Sequence, residues 1–346
     1  MREFKQYLLS LLILTGLVSG FVFLRFADGY PFPVGPQFDP HIRQKYEEML
    51  DQENPQILVF GDSVIDTNVD ANLMTGRLEK RVSAISEPGA GSALLYLILK
   101  NNIATAEYKP DVLILVFRDT VLTTPGFRVY GSFFEVMDEY AGAEDDFVLQ
   151  LAIRDRMSLL EKLAEAYLPP YWGRWDLRAL LVSRVINFPT RALFDCPQEC
   201  YETAMGDVFG NQNFEPDQLN EAINSAENFL YTDENLDFES QIDQSFLPEI
   251  IRISQENNIK LILVRTKILR FSMENPEPGT LTNYISELHA YAQNQDIMLI
   301  DFAHDDRLNP VLFKDTHHLN SDGKKIFTEM LIEAIEAIQS FPDLRR

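Results

Sequence analysis

Short, unbroken apolar runs recur along the chain: Ile57 to Phe60, Val112 to Phe117, Leu261 to Val264 and Ile297 to Ile300, with Arg81 to Ile85 a weaker fifth. Runs this short and this uniformly apolar predict strands buried on both faces, as in a parallel sheet covered by helices. Between and after them, Asp70 to Lys80, Ser92 to Glu107, Ser245 to Asn257, Thr280 to Gln293 and Asp322 to Gln339 carry apolar residues at three-to-four spacing, the period of a helix with one buried face. Strand and helix alternate, and parallel neighbours need a crossover element. The pattern therefore predicts a doubly wound α/β sheet.

The alternation breaks once. From about residue 125 to 245 no strand pattern occurs, and helical periods mix with Pro169-Pro170, Trp172, Trp175 and an acidic, Asn-rich stretch. A structureless loop of that length does not suit a compact domain, so a mainly helical insertion is expected between the third and fourth strands. It follows a strand's carboxyl end, the side on which open α/β sheets bind ligands.

The N-terminus has a different pattern. Arg2 and Lys5 precede an apolar run from Tyr7 to Leu24, which at about 1.5 Å per residue comes close to spanning a hydrocarbon core of about 30 Å. Two basic residues and the free amine flank one end and Arg25 the other, which places the N-terminus in the cytoplasm and the remainder outside. A cleaved signal peptide competes, because Val18-Ser19-Gly20 is a tolerable cleavage site, but apolar residues continue past it. The expected organisation is a signal anchor over 1–26, a stalk stiffened by Pro31, Pro33 and Pro36 over 27–54, and one domain over 55–346.

Composition narrows the partners. A formal net charge of −23 repels a phosphate backbone, so nucleic acid is not an expected partner. Cys196 and Cys200 suit a small local disulfide or two free thiols, and lack the nearby His that a zinc site would need. Neither a metal nor a cofactor is expected.

Two motifs carry chemistry. Gly61-Asp62-Ser63-Val64 sets a serine just beyond a buried strand, where its hydroxyl can face a crevice. Near the far end, Phe313-Lys314-Asp315-Thr316-His317-His318-Leu319-Asn320 precedes the final helix. A serine hydroxyl is a weak nucleophile until a base takes its proton, and imidazole does so best when a carboxylate fixes its tautomer. Asp315 and His318, three apart, can supply both roles from one loop.

Together, Gly61-Asp62-Ser63 and the late Asp-x-x-His resemble the SGNH/GDSL hydrolase superfamily, and residues 315–323 resemble the His-Leu-Asn version of membrane-anchored members that modify envelope polymers. The resemblance implies a flavodoxin-like α/β/α sandwich with Ser63 as nucleophile and the Asp315/His318 pair as its base. It also implies an oxyanion hole made by the Ser63 N–H, a glycine after the second strand and an asparagine after the third. Gly91 is the first choice for the glycine and Gly89 the second. The asparagine is missing: Phe117-Arg118-Asp119-Thr120 stands in its place, with Arg118 as the substitute donor or, alternatively, a partner of a nearby acid.

Arg118, Arg265 and Lys267 each fall at or just past a strand's carboxyl end. One reading assigns the oxyanion to Arg118 and an anionic substrate feature to Arg265 and Lys267; the other has Asp62, Asp119 or Glu87 neutralise them internally. The function expected is a serine esterase or O-acyltransferase acting on acylated envelope glycan or lipid, held to the membrane by its N-terminal helix. The alternative is a catalytically silent domain of the same shape that binds glycan or a protein.

Overall fold

The computed structural model describes residues 2–26, 30–174, 227–271 and 276–338. The chain divides into two compact units, Met1–Gln37 with Ile153–Glu215, and Phe38–Ala152 with Pro216–Arg346.

In the first unit, helix α1 (Arg2–Phe26) is long and apolar enough to cross a membrane, a property that signal sequences share. Two further helices belong to this unit, and they are numbered here in chain order with those of the second: α8 (Leu159–Tyr167) and α9 (Pro169–Trp172). Ser158 and Glu161 close a capping box at the start of α8. α9 packs against α1, where Val22 is buried and a Cβ on Gly173 would come within 2.7 Å of it.

The second unit is built on a five-stranded, all-parallel sheet of order β2-β1-β3-β4-β5. Its strands are β1 (Ile57–Gly61), β2 (Val82–Ser86), β3 (Val112–Phe117), β4 (Lys260–Arg265) and β5 (Met298–Asp301). Its helices are α2 (Lys45–Glu53), α3 (Val64–Asn68), α4 (Ala71–Leu78), α5 (Ser92–Ile98), α6 (Ser132–Tyr140), α7 (Asp146–Ala152), α10 (Phe238–Ile242), α11 (Leu247–Glu256), α12 (Gly279–Asn294) and α13 (Ser321–Ala337). Ile57, Val59, Ile114, Val116, Ile262 and Val264 pack on one face against Met74 of α4 and Phe327, Leu331 and Ile335 of α13. α11 packs on β4 and touches α5.

Three details differ from the sequence pattern. β5 is partly exposed, with Met298 37% accessible, because an edge strand has one neighbour where the apolar run had suggested full burial. The helix begun by α5 ends in a π-turn over Leu99–Ile103, where buried Asn101 donates to the Tyr140 carbonyl and to Asp145. The expected stalk also reaches only part of its length: from Lys45 the chain forms α2, whose Tyr46 and Leu50 are buried in the second unit. Among the described residues the segment between β3 and β4 is helical, with no strand. Cys196, Cys200 and Trp175 lie outside the described residues.

Candidate active site

The nucleophile turn begins with a glycine that packing requires. A Cβ on Gly61 would sit 2.7 Å from the Val116 carbonyl of β3, so only hydrogen fits between the two strands. Beyond it, Asp62 Oδ1 accepts the Val64 N–H at 3.1 Å and the Asp62 carbonyl accepts the Ile65 N–H at 3.0 Å, which turns the chain at once into α3. Ser63 stands half-buried at the tip of that turn.

The second loop is stapled from both sides. Phe313 and Leu319 form an antiparallel bridge, and the Lys314 N–H donates to the His318 carbonyl at 2.7 Å. Asn320 then caps α13 by accepting the N–H groups of Asp322 and Gly323. Gly323 is needed because a Cβ there would meet the Leu312 carbonyl at 2.5 Å. Buried Asn68 joins the two loops, its Oδ1 accepting the Leu319 N–H at 3.3 Å and its Nδ2 donating to Thr266 Oγ1 at 3.2 Å.

Within this frame three side chains meet, 255 residues apart in sequence at the widest. His318 Nε2 is 2.8 Å from Ser63 Oγ, and His318 Nδ1 is 2.8 Å from Asp315 Oδ2. Asp315 Oδ1 also accepts the backbone N–H groups of His317 and His318, at 2.8 and 2.9 Å. Partial burial alone would raise the Asp315 pKa, but the hydrogen bonds from His318 and from those two amides outweigh it and hold the carboxyl well below its ordinary range. A carboxylate at Nδ1 holds the ring proton there and leaves Nε2 as the acceptor for the serine proton.

The backbone N–H groups of Ser63 and Gly91 donate to no acceptor among the described residues. Gly91 caps α5, and a Cβ on it would lie 2.3 Å from the Phe127 carbonyl, so the position admits glycine alone. Gly89, the second choice, has φ +76° and provides the turn that leads there.

Arg118 is not available as an oxyanion donor. It is 4% exposed, with Nε and Nη2 donating to Asp62 Oδ2 at 3.3 and 2.9 Å and Nη1 donating to both carboxylate oxygens of Glu227 at 2.8 and 2.9 Å. Glu227 also receives Arg128 at 3.2 Å, and His317 Nε2 lies 2.9 Å away. Burial would raise the Glu227 pKa, yet His317 and Arg118 bring it down to about 2. Charge neutralisation wins here because an arginine this deeply buried without acids would be prohibitively costly.

Arg265 is likewise engaged by internal acids and is not open to a substrate anion. It is 1% exposed, donates from Nε and Nη2 to Asp119 Oδ1 at 2.9 and 2.6 Å, and reaches Glu277 at 2.6 Å and Asp301 at 3.2 Å. Its charge is spent inside the protein. Lys267 differs: it is only half-buried, and its Nζ donates to the Asp305 carbonyl at 3.0 Å. Lys267 and Arg265 line a cleft of about 310 Å³ with Phe271, Glu277 and His304, and that cleft includes none of Ser63, Asp315 and His318. Asp62 and Asp119 were identifiable from sequence as internal partners, whereas Glu227 was not: it lies inside the insertion without any surrounding motif.

No family model and no curated relative matches the chain. Solved structures similar to it include a Bacteroides fragilis protein assigned as an acylhydrolase, at 13% identity over 85% of this chain and 95% of that one, with a TM-score of 0.37. A GDSL-like lipase from Bacteroides thetaiotaomicron is similar at 11% identity over 84% and 97%, with a TM-score of 0.33. An acetyl xylan esterase is similar at 14% identity over 81% and 99%, with a TM-score of 0.36. At such scores these likenesses carry no weight in assigning an activity to this chain, for which its own residues have to speak.

Proposed function

We propose that the chain is a serine-dependent ester hydrolase or O-acyltransferase of the SGNH/GDSL type, acting through an acyl-enzyme on acylated cell-envelope glycan or lipid outside the cytoplasm. The observation that carries the reading is the continuous relay from Asp315 through His318 to Ser63, with both contacts at 2.8 Å.

In this reading Ser63 Oγ attacks the acyl carbonyl as its proton passes to His318 Nε2. The tetrahedral oxyanion is received by the N–H groups of Ser63 and Gly91, and Asp315 steadies the imidazolium. His318 then returns the proton to the departing alcohol, leaving an ester on Ser63. Water completes hydrolysis, whereas a second hydroxyl completes transfer, with His318 again removing the proton. Two amide donors in place of three suit a site in which Arg118 is consumed by structure; losing one such donor costs about 2.7–4 kcal/mol in enzymes that rely on it. The envelope assignment rests on α1 as a retained anchor.

The test is labelling of the full chain with a fluorophosphonate, which reacts only with an activated serine, followed by turnover of acetylated glycans and short-chain aryl esters. Labelling that disappears in Ser63→Ala supports the proposal. An unlabelled wild-type chain would instead favour a silent binding domain.

A further inference from the structure

Helix α8 carries an apolar face that its own unit leaves largely uncovered among the described residues. Leu159 is 73% exposed, Leu160 78%, Leu163 46% and Tyr167 54%, and the spacing of these residues puts them on one side of the helix. Leaving such a stripe in water is costly, and the start of α8 is fixed separately by a cap built from Ser158 and Glu161.

The location of this face identifies what it meets. The span suited to a membrane ends at Arg25, and an aromatic cluster gathers just beyond it. Tyr30 lies between Phe23 at 5.9 Å and Tyr167 of α8 at 6.0 Å, and Phe32 stacks on Trp172 of α9 at 4.3 Å. The Phe32 N–H donates to the Ala166 carbonyl at 3.0 Å, so α8 is bonded directly to the chain leaving α1. Tyr and Trp at the end of a span mark the depth of the headgroups. An apolar face and attachment beside the aromatic end of a membrane-suited span are features of a helix lying in a membrane surface.

We infer that α8 is a second membrane contact, which inserts Leu159, Leu160, Leu163 and Tyr167 into the leaflet that α1 leaves. The inference goes beyond the esterase reading and depends only on α1 remaining in the bilayer. Its physical consequence is that part of the insertion is held at the lipid surface in addition to the single span.

The chain has two tryptophans, Trp172 and Trp175, which makes single reporters accessible. In a Trp172→Phe, Trp175→Phe background, full-length protein with Leu160→Trp, and separately with Leu163→Trp, is reconstituted into phosphatidylcholine–phosphatidylglycerol vesicles. Both exposed positions accept indole without repacking. The expected result is blue-shifted emission, loss of roughly half or more of the signal to lipids brominated near the headgroup end of their chains, and protection from iodide. Quenching by iodide and not by bromolipid would place the face in water and overturn the inference. Protection from both quenchers would mean that protein covers the face, which also overturns it. Release of the chain from vesicles by alkaline carbonate would remove the anchor and the inference together, while leaving fluorophosphonate labelling of Ser63 unaffected.

Discussion

Arg118 Nη1 donates to both carboxylate oxygens of Glu227, at 2.8 and 2.9 Å, and so fastens the end of β3 to a residue of the insertion. The same guanidinium holds Asp62, which precedes Ser63, while Glu227 lies against His317, which precedes His318. One buried ion group therefore touches the chain neighbours of two of the three relay residues. The insertion is thereby part of the support of the site.

If Arg118 is structural, Arg118→Ala leaves the buried Asp62 carboxylate without its cation and Glu227 with Arg128 and His317 alone, and costs about 3–5 kcal/mol of stability. Part of the loss should be restored by adding Glu227→Gln, since Asp62 still lacks its cation. Urea unfolding of the single and double variants measures this. A single variant of native stability with reduced kcat alone would return Arg118 to the oxyanion. The sign of the pH effect follows from the lowered Glu227 pKa: its contribution is complete above an ordinary value of 4.5 and is lost as pH falls towards about 2. Glu227→Gln should therefore lose stability at pH 5 and differ less from wild type at pH 3.

Ser63→Ala and His318→Ala should each lower ester turnover by at least about 10³-fold, because the relay works as a unit. His317→Ala should keep kcat within about tenfold, since the ring bonds to no relay side chain, while its melting temperature falls because a buried ring resting on Glu227 is lost. Steady-state kinetics together with thermal unfolding separates the two histidines. Full activity in His318→Ala would show that the relay does not operate.

Removing the orienting carboxylate should leave the nucleophile in place and misdirect the imidazole. Asp315→Asn is expected to lower kcat by about 10⁴ with little change in KM. Asp301 is the acid at the end of β5, but it pairs with Arg265 at 3.2 Å, so it is not poised to replace Asp315. Turnover of Asp315→Asn within a few-fold of wild type would mean that another acid serves His318.

Arg265 and Lys267 should part company. Arg265→Met breaks contacts to Asp119, Glu277 and Asp301, so it should lower stability and impair neutral and anionic esters alike. Lys267→Met should leave folding intact and raise KM only for an anionic ester. Kinetics with a matched pair of aryl esters, one carrying a carboxylate, checks both. Equal effects of the Lys267 variant on the two esters would assign that lysine a structural role.

Much of the fold was legible because its signals are local. The apolar runs that became β1, β3 and β4 are bounded by turns and separated by helical periods, and a buried parallel strand requires that composition on both of its faces. Ser63, Asp315 and His318 were legible for a related reason: each stands in a short motif whose backbone geometry, a strand end or a capped loop, is set by its immediate neighbours. Glu227 had no such frame. Its role depends on approaching Arg118 from 109 residues away, and no periodicity along the chain records that distance.

The sequence by itself determined the elements, the carboxyl edge at which the candidate site lies, and the residue types gathered there, because backbone propensity, burial pattern and turn chemistry act over a few residues at a time. The tertiary structure decided which cations were free. Arg118, Arg265 and Lys267 occupy equivalent places at strand ends, yet the first two are taken up by Asp62, Glu227, Asp119, Glu277 and Asp301, while Lys267 keeps a half-exposed ammonium on a backbone carbonyl. The physical reason is that the energy of a buried charge depends on which opposite charges reach it in space. That is settled only when distant segments close around it.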